Sequence, residues 1–305
     1  MQCVLLAVRH NVELGQALEW AQGERKMTID VIADGFWLTE CPRFDADGVL
    51  YFSDVMGHKF CRYSSAGGVQ VIDDGRRFVG GCVINKDGLV IHSGFDGLAA
   101  FDPLTNTSQP IETTLDGRAI GSINDIEADQ DGNIYGGTID LAGFENGTPQ
   151  EPGIIFRLDT KGVVTKLGTA GTPNGLAFNP GGGKAHWAES GEGVFVYDVR
   201  PDGTLENRQL FAAVEDCDGI AMDEKGGLWV ARYMCNELAY YNADGSEGDA
   251  LHLPYNSVTS VVFGGEDLRE LYITGGDLQE TGTGGVIRVS CETPGLPSYM
   301  SRLGC

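Results

Sequence analysis

The sequence has few basic residues for its length. Its 305 residues include 21 Lys and Arg against 44 Asp and Glu, so the formal net charge is −23 at pH 7. Nucleic acids and anionic membranes are bound through basic surfaces that displace counterions. The charge therefore argues against both as partners, and it favours a small molecule or a cation as the ligand.

The chain also lacks a long hydrophobic segment. No stretch approaches the length of a membrane span, and the apolar opening MQCVLLAV is followed directly by Arg9 and His10, so it is too short for a signal peptide. The eight cysteines form no C-x-x-C pair and have no His or Cys partner at zinc spacing. We therefore expect a reduced, cytoplasmic protein.

Several common catalytic motifs are missing as well. The sequence contains no G-x-S-x-G elbow, no H-E-x-x-H pair and no G-x-x-x-x-G-K-[ST] loop, and none of its five His residues lies near another. Nothing in the sequence therefore favours a serine hydrolase, a zinc peptidase or a P-loop enzyme.

Glycine is abundant, and it occurs within a repeat. The 45 glycines accompany 42% hydrophobic residues, which excludes disorder and indicates many turns between short strands. Six stretches share an alternating apolar pair, a turn rich in Asp and Gly, and a second apolar run. We call the first residue of each stretch position zero. The six stretches begin at Glu40, Gly80, Asn124, Asn174, Asp218 and Thr259, at intervals of 40, 44, 50, 44 and 41 residues.

This spacing is typical of a four-stranded propeller blade. Positions two and four are mostly apolar, as at Ile220 and Met222, which is the alternation of a half-buried strand. The sequence therefore predicts an all-β fold, a six-bladed β-propeller with a central metal site. A pair of β-sandwiches would give no reason for the sixfold spacing. A strand near residues 29–33 is expected to close the ring against the C-terminal blade.

The domain prediction follows the limits of the repeat. Residues 28–305 are assigned to one six-bladed β-propeller hydrolase domain. Residues 1–27 match nothing downstream, and we interpret them as an N-terminal extension that is either disordered or not native.

Position zero carries the predicted chemistry. The innermost strand of every blade runs along the central channel, so equivalent positions at its start meet at one mouth. Glu40 and Asp218 would bring two carboxylates together there, and Asn124 and Asn174 two amides. Buried like charges repel, so a cation is the simplest remedy. Oxygen donors favour Ca²⁺, Mg²⁺ or Mn²⁺, with Zn²⁺ left open.

The loops after the second strand of each blade return to the same mouth. We therefore expect His58, Asp140, Arg232 and Tyr233 to contact substrate, although polar loop residues are commonly just solvated. The long loop over residues 140–153 is a candidate lid.

Taken together, the stretches resemble the regucalcin/gluconolactonase family, also called the senescence marker protein and luciferin-regenerating enzyme family. The resemblance covers roughly residues 32–289. It implies that Glu40, Asn174 and Asp218 bind one divalent metal ion, that Asn124 contributes to metal or substrate binding, and that Asp218 transfers a proton. The motifs that carry it include Glu40-Cys41-Pro42, Asn124-Asp125, Pro173-Asn174-Gly175, Asp218-Gly219 and Leu228-Trp229-Val230-Ala231.

The resemblance implies a metal-dependent lactonase that hydrolyses a small lactone with metal-activated water, with Asp218 as general acid and base. In relatives that hydrolyse phosphotriesters the matching aspartate has been argued to be the nucleophile, so the role of Asp218 stays open. Two alternatives also stay open. One is a phosphotriester or phosphofluoridate hydrolase on the same site, and the other is a non-catalytic, metal-binding regulatory propeller.

The chain departs from the family pattern at three places, and the first two concern the substrate. Ser122 stands where sugar-lactone members usually have Arg, two residues before Asn124. Asp140 and its neighbours replace a Glu, and Cys41 replaces a Gly. A short hydroxyl at Ser122 leaves more room than Arg and offers no cation. We therefore expect a neutral, less hydroxylated lactone to be preferred to an aldonolactone.

Overall fold

The computed structural model describes residues 17–22, 25–72 and 75–304 of the chain. The first two strands are β1 (Ala17–Gln22) and β2 (Arg25–Phe36). Blade 1 contains β3 (Thr39–Phe44), β4 (Leu50–Asp54), β5 (Lys59–Ser64) and β6 (Gly68–Ile72). Blade 2 contains β7 (Cys82–Ile84), β8 (Val90–His92), β9 (Leu98–Asp102) and β10 (Thr107–Ile111). A short hairpin follows, formed by β11 (Thr114–Leu115) and β12 (Arg118–Ala119).

Blade 3 is interrupted by a helix in its second loop. It contains β13 (Ile123–Ala128), β14 (Ile134–Thr138), helix α1 (Leu141–Asn146), β15 (Gly153–Leu158) and β16 (Val164–Ala170). Blade 4 contains β17 (Thr172–Phe178), β18 (Lys184–Ser190), β19 (Gly193–Val199) and β20 (Leu205–Ala212). Blade 5 contains β21 (Cys217–Met222), β22 (Leu228–Arg232), β23 (Glu237–Tyr241) and β24 (Leu251–His252). Blade 6 begins with β25 (Ser257–Gly264), β26 (Glu270–Gly276) and β27 (Gly284–Ser290).

The six blades are antiparallel sheets arranged in a ring. In each blade the strands pair in chain order, and each innermost strand contacts those of the two adjacent blades, from β3 round to β25 and back to β3. Strand β2 pairs with β27, where Ile29 faces Val289, and β1 adds a fifth strand outside it. The predictions of a six-bladed propeller and of its closure by a strand near residues 29–33 are confirmed.

Only part of the predicted N-terminal extension, residues 1–27, can be compared with the structure. Residues 1–16 lie outside the described residues. The strand β1 and the start of β2 lie at the edge of blade 6. That these residues are not native stays a prediction. The helical part of the described chain offers no segment with the length and hydropathy of a membrane span.

Apolar residues between neighbouring blades hold the ring together. Six clusters of buried side chains each fill the gap between two adjacent blades. Between blades 1 and 2, for example, Tyr51 stacks on Phe60, and Phe60 meets Phe101 edge to face. Aromatic pairs add about 0.5–1.5 kcal/mol each beyond the area they bury. The alternation along the strands therefore stabilises the ring from both faces of every sheet.

A C-terminal segment, residues 291–304, crosses the propeller at the end of the inner strands opposite to position zero. It bridges to blade 5 where Asp223 pairs with Gly295, and it reaches blade 3 where the Arg302 N–H donates to the Gly132 carbonyl at 2.9 Å. In blade 2 it pairs alongside Asn85. The segment therefore ties three blades together and lies over one end of the channel.

Asn85 is the main anchor of this segment, and it gives a prediction about stability. Its buried amide donates to the Leu303 carbonyl at 3.0 Å and accepts from the Leu303 N–H at 2.9 Å and the Ser301 hydroxyl at 2.7 Å. Asn85→Ala leaves these partners unpaired, so we expect the free energy of unfolding to fall by about 2–3 kcal/mol. Urea unfolding measures this. Asn256→Ala, at an exposed amide, is the matched control, and equal effects in both variants would contradict the anchoring role.

Candidate functional site

All six residues at position zero line one cavity at the mouth of the channel. The cavity has a volume of about 360 Å³. The structure thus brings together the residues that the repeat selected. Whether they act as ligands stays a prediction. The position-zero residues that line it are Glu40, Gly80, Asn124, Asn174, Asp218 and Thr259.

A β-bulge lies at the start of most of the inner strands. The register of pairing shifts just after Glu40 in β3, and it shifts across Asn124, Asn174 and Asp218 in β13, β17 and β21. A bulge sets two residues against one and changes the direction in which a side chain points. The polar side chains at the mouth therefore sit where the regular alternation of the strands is broken.

The glycines that follow two of these residues are required by close packing. A Cβ atom at Gly175 would lie 2.7 Å from the Asp218 carbonyl oxygen, and one at Gly219 would lie 2.1 Å from the Ser260 hydroxyl. Both distances are shorter than a carbon atom tolerates. The Asn-Gly and Asp-Gly pairs at position zero thus allow neighbouring inner strands to approach, and they are not hairpin turns.

Cys41 occupies a backbone conformation that favours glycine. Its φ angle is 46°, and the residue is buried. Only glycine adopts this left-handed region without steric cost. Its N–H donates to Oε2 of Glu40 at 2.9 Å, so the unusual backbone helps to position that carboxylate. The structure therefore accounts for a glycine in the family pattern at this position, and Cys41 occupies the same conformation at a steric cost.

Glu40 and Asp218 form a pair of carboxyl groups in hydrogen-bond contact. Burial raises the pKa of Glu40 well above its ordinary value, and the charges of Asp218 and Asp125 raise it further. Burial and the charge of Asp125 likewise raise the pKa of Asp218, against hydrogen bonds from Asn174 and Glu40 that lower it. Burial raises the pKa of Asp125 to about 7, although Arg43 opposes the shift. Burial and repulsion therefore disfavour two negative charges on this pair, and a cation would offset them.

The donor set suits a hard divalent cation. One N–H of Asn174 is 3.3 Å from the Ser190 hydroxyl, and one N–H of Asn124 donates to the Pro173 carbonyl at 3.2 Å, so both amide oxygens remain free to bind a ligand. Two carboxylates and amide oxygens are the donors that Ca²⁺, Mg²⁺ and Mn²⁺ prefer. Over the described ranges, no group of three His, Cys, Asp or Glu side chains has the arrangement of a metal site. The set here differs because amides supply part of it.

Two of the six predicted substrate contacts line the cavity. These are Asn124 and Tyr233. Burial raises the pKa of the Tyr233 phenol, and the nearby charge of Asp218 raises it further. Asp140 and Arg232 are not among the lining residues. Both oxygens of Asp140 accept backbone N–H groups, from Gly143 at 3.1 Å and from Glu151 at 3.2 Å, so this carboxylate organises its own loop as the N-cap of α1.

The other predicted contacts are likewise engaged elsewhere or exposed. Arg232 forms ion pairs of 2.8 Å with Asp216 and with Glu237. The Ser122 hydroxyl donates to the Phe95 carbonyl at 2.8 Å. His58 is exposed and has a φ angle of 54°. The structure places these three side chains, with Asp140, outside the lining of the cavity.

Sequence reasoning missed an apolar wall above the polar floor. None of its residues occupies position zero. Two of them, Leu38 and Phe78, occur two residues before it, as do Thr172 and Ser257, which also line the cavity. Reading position minus two in every repeat would have found these four residues. The wall consists of Leu38, Val55, Phe78, Ile139, Phe144 and Leu278.

Comparison with known proteins identifies the family and supports the fold. The model of the SMP-30/Gluconolactonase/LRE-like region matches residues 38–276. The chain belongs to this family. Pentonolactonase XacC from Haloferax volcanii is 30% identical over 282 residues, covering 84% of this chain and 91% of that protein. The 6-deoxy-6-sulfogluconolactonase of Pseudomonas putida is 29% identical over 247 residues, covering 78% of this chain and 82% of that enzyme.

Solved structures of the family share the fold. A luciferin-regenerating enzyme superposes with a TM-score of 0.80 at 23% identity, covering 90% of this chain and 99% of that one. A regucalcin from Agrobacterium tumefaciens, described as a calcium-binding protein, superposes with a TM-score of 0.77 at 20% identity, covering 88% and 95%. At these identities the likeness concerns the propeller alone.

Proposed function

We propose that this protein hydrolyses a small, neutral lactone and that Glu40, Asn174 and Asp218 hold a divalent cation for the reaction. The observation that carries the proposal is the Glu40–Asp218 carboxyl pair beside two amides, at the floor of a cavity of about 360 Å³. That volume is at the lower end of the range for small-molecule sites. Relatives named as lactonases support the reaction class.

The chain's own residues supply the proton transfers. A bound divalent cation would polarise the ester carbonyl as a Lewis acid. Asp218 accepts a proton from the water that attacks the carbonyl carbon, and it returns the proton to the ring oxygen as the ester C–O bond breaks. The product is an open-chain hydroxy acid.

Asn124 and Tyr233 orient the substrate beside Asp218. The hydrogen bond from Asn124 to the Pro173 carbonyl fixes the amide and leaves its second N–H available as a donor. Tyr233 keeps its proton at neutral pH, because burial and nearby carboxylates raise its pKa, so its hydroxyl is also a donor. These donors can face an oxygen that gains negative charge during the reaction.

The lining of the cavity favours a neutral substrate. No Lys, Arg or His occurs among its described residues. Arg232 is held by two carboxylates, and Ser122 offers only a hydroxyl that is already bonded. A sulfonate or carboxylate entering the cavity would therefore have no cationic side chain to pair with, and its burial would be costly.

We expect a panel of lactones to show this selectivity. With a divalent cation present, kcat/KM for a neutral five-membered lactone should exceed that for 6-deoxy-6-sulfogluconolactone by about tenfold or more, corresponding to about 1.4 kcal/mol. A chelator should abolish hydrolysis of both. Hydrolysis of an organophosphate, measured in parallel, tests the phosphotriester alternative. Binding of the cation without hydrolysis of any compound would support a regulatory propeller and contradict the proposed reaction, and preference for the sulfonate would contradict the neutral substrate.

A further inference from the structure

The cavity has a roof formed by the loop between β14 and β15. Phe144 in α1 and Gln150 after it both line the cavity. Asp140 holds the loop together by accepting the Gly143 and Glu151 N–H groups, and contact of Phe144 with Phe78, whose ring centroids are 6.2 Å apart, joins the loop to the segment before blade 2. Leu141 is buried in the same apolar cluster as Leu38. This loop is therefore a built part of the site.

The roof and walls are apolar, whereas the floor is polar. Phe144 continues a surface made by Leu38, Val55, Phe78 and Leu278. A hydroxyl group pressed against such a surface loses its hydrogen bonds to water and gains none. A fully hydroxylated sugar ring would incur this cost at several carbons. An alkyl substituent would instead gain free energy by leaving water.

Gln150 is the exception in the roof. Its side-chain Oε1 is buried and has no hydrogen-bond partner, although Gln150 lines the cavity. Buried polar atoms are rarely left unpaired, because each one costs free energy. A ligand hydroxyl can both donate and accept, so it would satisfy this amide in either orientation.

We infer that Phe144 and Gln150 select the substrate, and that it is a lactone with one alkyl substituent against the apolar wall and one ring hydroxyl bonded to Gln150. The inference rests on the proposed lactonase function, since it assigns the substrate class of the same site. This substrate differs from a polyhydroxylated sugar lactone in both features, because the cavity recognises one hydroxyl and the rest of its roof and wall is hydrophobic.

Binding of γ-lactams, which are not hydrolysed under the assay conditions, tests the apolar part. Calorimetry would compare the unsubstituted ring with methyl, ethyl and propyl derivatives, in the presence of saturating Ca²⁺, Mg²⁺ or Mn²⁺. The wild-type protein should bind about fourfold more tightly for each added methylene. In Phe144→Ala the gain should fall below about twofold. Asn146→Ala, on an exposed residue of the same helix, should keep the wild-type gain in affinity for each methylene. Equal affinity across the series in the wild type would overturn the inference.

Monohydroxylated lactams test Gln150. The best monohydroxy derivative should bind the wild type about tenfold more tightly than its deoxy partner, and Gln150→Met should remove the difference. A difference that survives in Gln150→Met would overturn the role of Gln150. If the lactam series behaves as expected but no lactone is hydrolysed, the lactonase proposal fails and the assignment of the roof stands. If lactones are hydrolysed but alkyl chains bring no gain in binding, the lactonase proposal stands and the assignment of the roof fails.

Discussion

Asp218→Asn will lower kcat/KM for lactone hydrolysis by about a thousandfold or more, the range expected for loss of a general base that also binds the metal. Asp218 is 7% exposed and contacts both Glu40 and Asn174. Asparagine keeps the shape of the side chain and can still bond to these neighbours. It cannot take a proton from water, and it removes one of two negative charges available to a cation. The loss should therefore appear in catalysis while the propeller remains folded.

Steady-state kinetics on a neutral lactone, with circular dichroism to verify folding, measures this effect. Asp47→Asn is the matched control, because Asp47 is an exposed carboxylate in the hairpin turn of blade 1. It should retain activity within about twofold, as expected for a surface substitution. A loss in Asp218→Asn of less than about tenfold would contradict the assigned role. Single turnover in ¹⁸O-labelled water separates base from nucleophile, since label enters the product first if water attacks the lactone, and the enzyme first if Asp218 does.

The repeat was sufficient to predict the fold because two independent periods agreed. Alternation of apolar residues indicates strands, and the spacing of about forty residues is that of a four-stranded blade. The pairing of Ile29 with Val289 was also predictable, since a ring without it would leave an open edge. These features depend on patterns shared by many residues, so one unusual residue does not obscure them.

The C-terminal segment could not be predicted in this way. Residues 291–304 have no strand alternation and do not belong to the repeat. Their place depends on single contacts, above all those of Asn85, which lies more than 200 positions earlier. A lone Asn in a turn motif gives no sign of such a partner, because most asparagines in turns bond locally.

The polar floor was predictable from the sequence, but the substrate-contacting side chains were only partly so. Position zero is fixed by the geometry of the inner strands, so its residues meet. Loops are less constrained, and their charged side chains are satisfied by nearby partners before they reach the cavity. Asp140 caps a helix, and Arg232 pairs with Asp216 and Glu237. The apolar lining carries no charge or hydrogen-bonding group that would mark it as a contact, so the sequence does not distinguish it from ordinary core residues.

A divalent cation is expected to stabilise the folded protein strongly. An ion that binds only the folded state adds about 2.7 kcal/mol when its free concentration is a hundred times Kd. Without it, Glu40 and Asp218 are two buried carboxyl groups whose pKa values are both raised in the folded state. The contribution of these two groups to the stability of the metal-free protein should therefore be greatest at acid pH, and it should fall as pH rises above about 4.5, where the unfolded chain loses those protons. The cation should remove this loss, because it offsets the negative charge of both carboxylates.

Two variants separate this mechanism from nonspecific ion binding. Glu40→Gln and Asp218→Asn each remove one charge from the pair, so the metal-free variants should melt at a higher temperature than the metal-free wild type. The same variants should gain little from Ca²⁺, Mg²⁺ or Mn²⁺, because the cation loses a carboxylate ligand. Asp47→Asn should behave as wild type in both conditions. Calorimetry with and without chelator measures all four proteins. Two outcomes would rule out the site formed by Glu40, Asn174 and Asp218: a wild-type melting temperature that responds to none of the three ions, or equal gains in the wild type and both site variants. Stabilisation by a bound ion depends on both carboxylates, whereas screening of surface charge by salt does not.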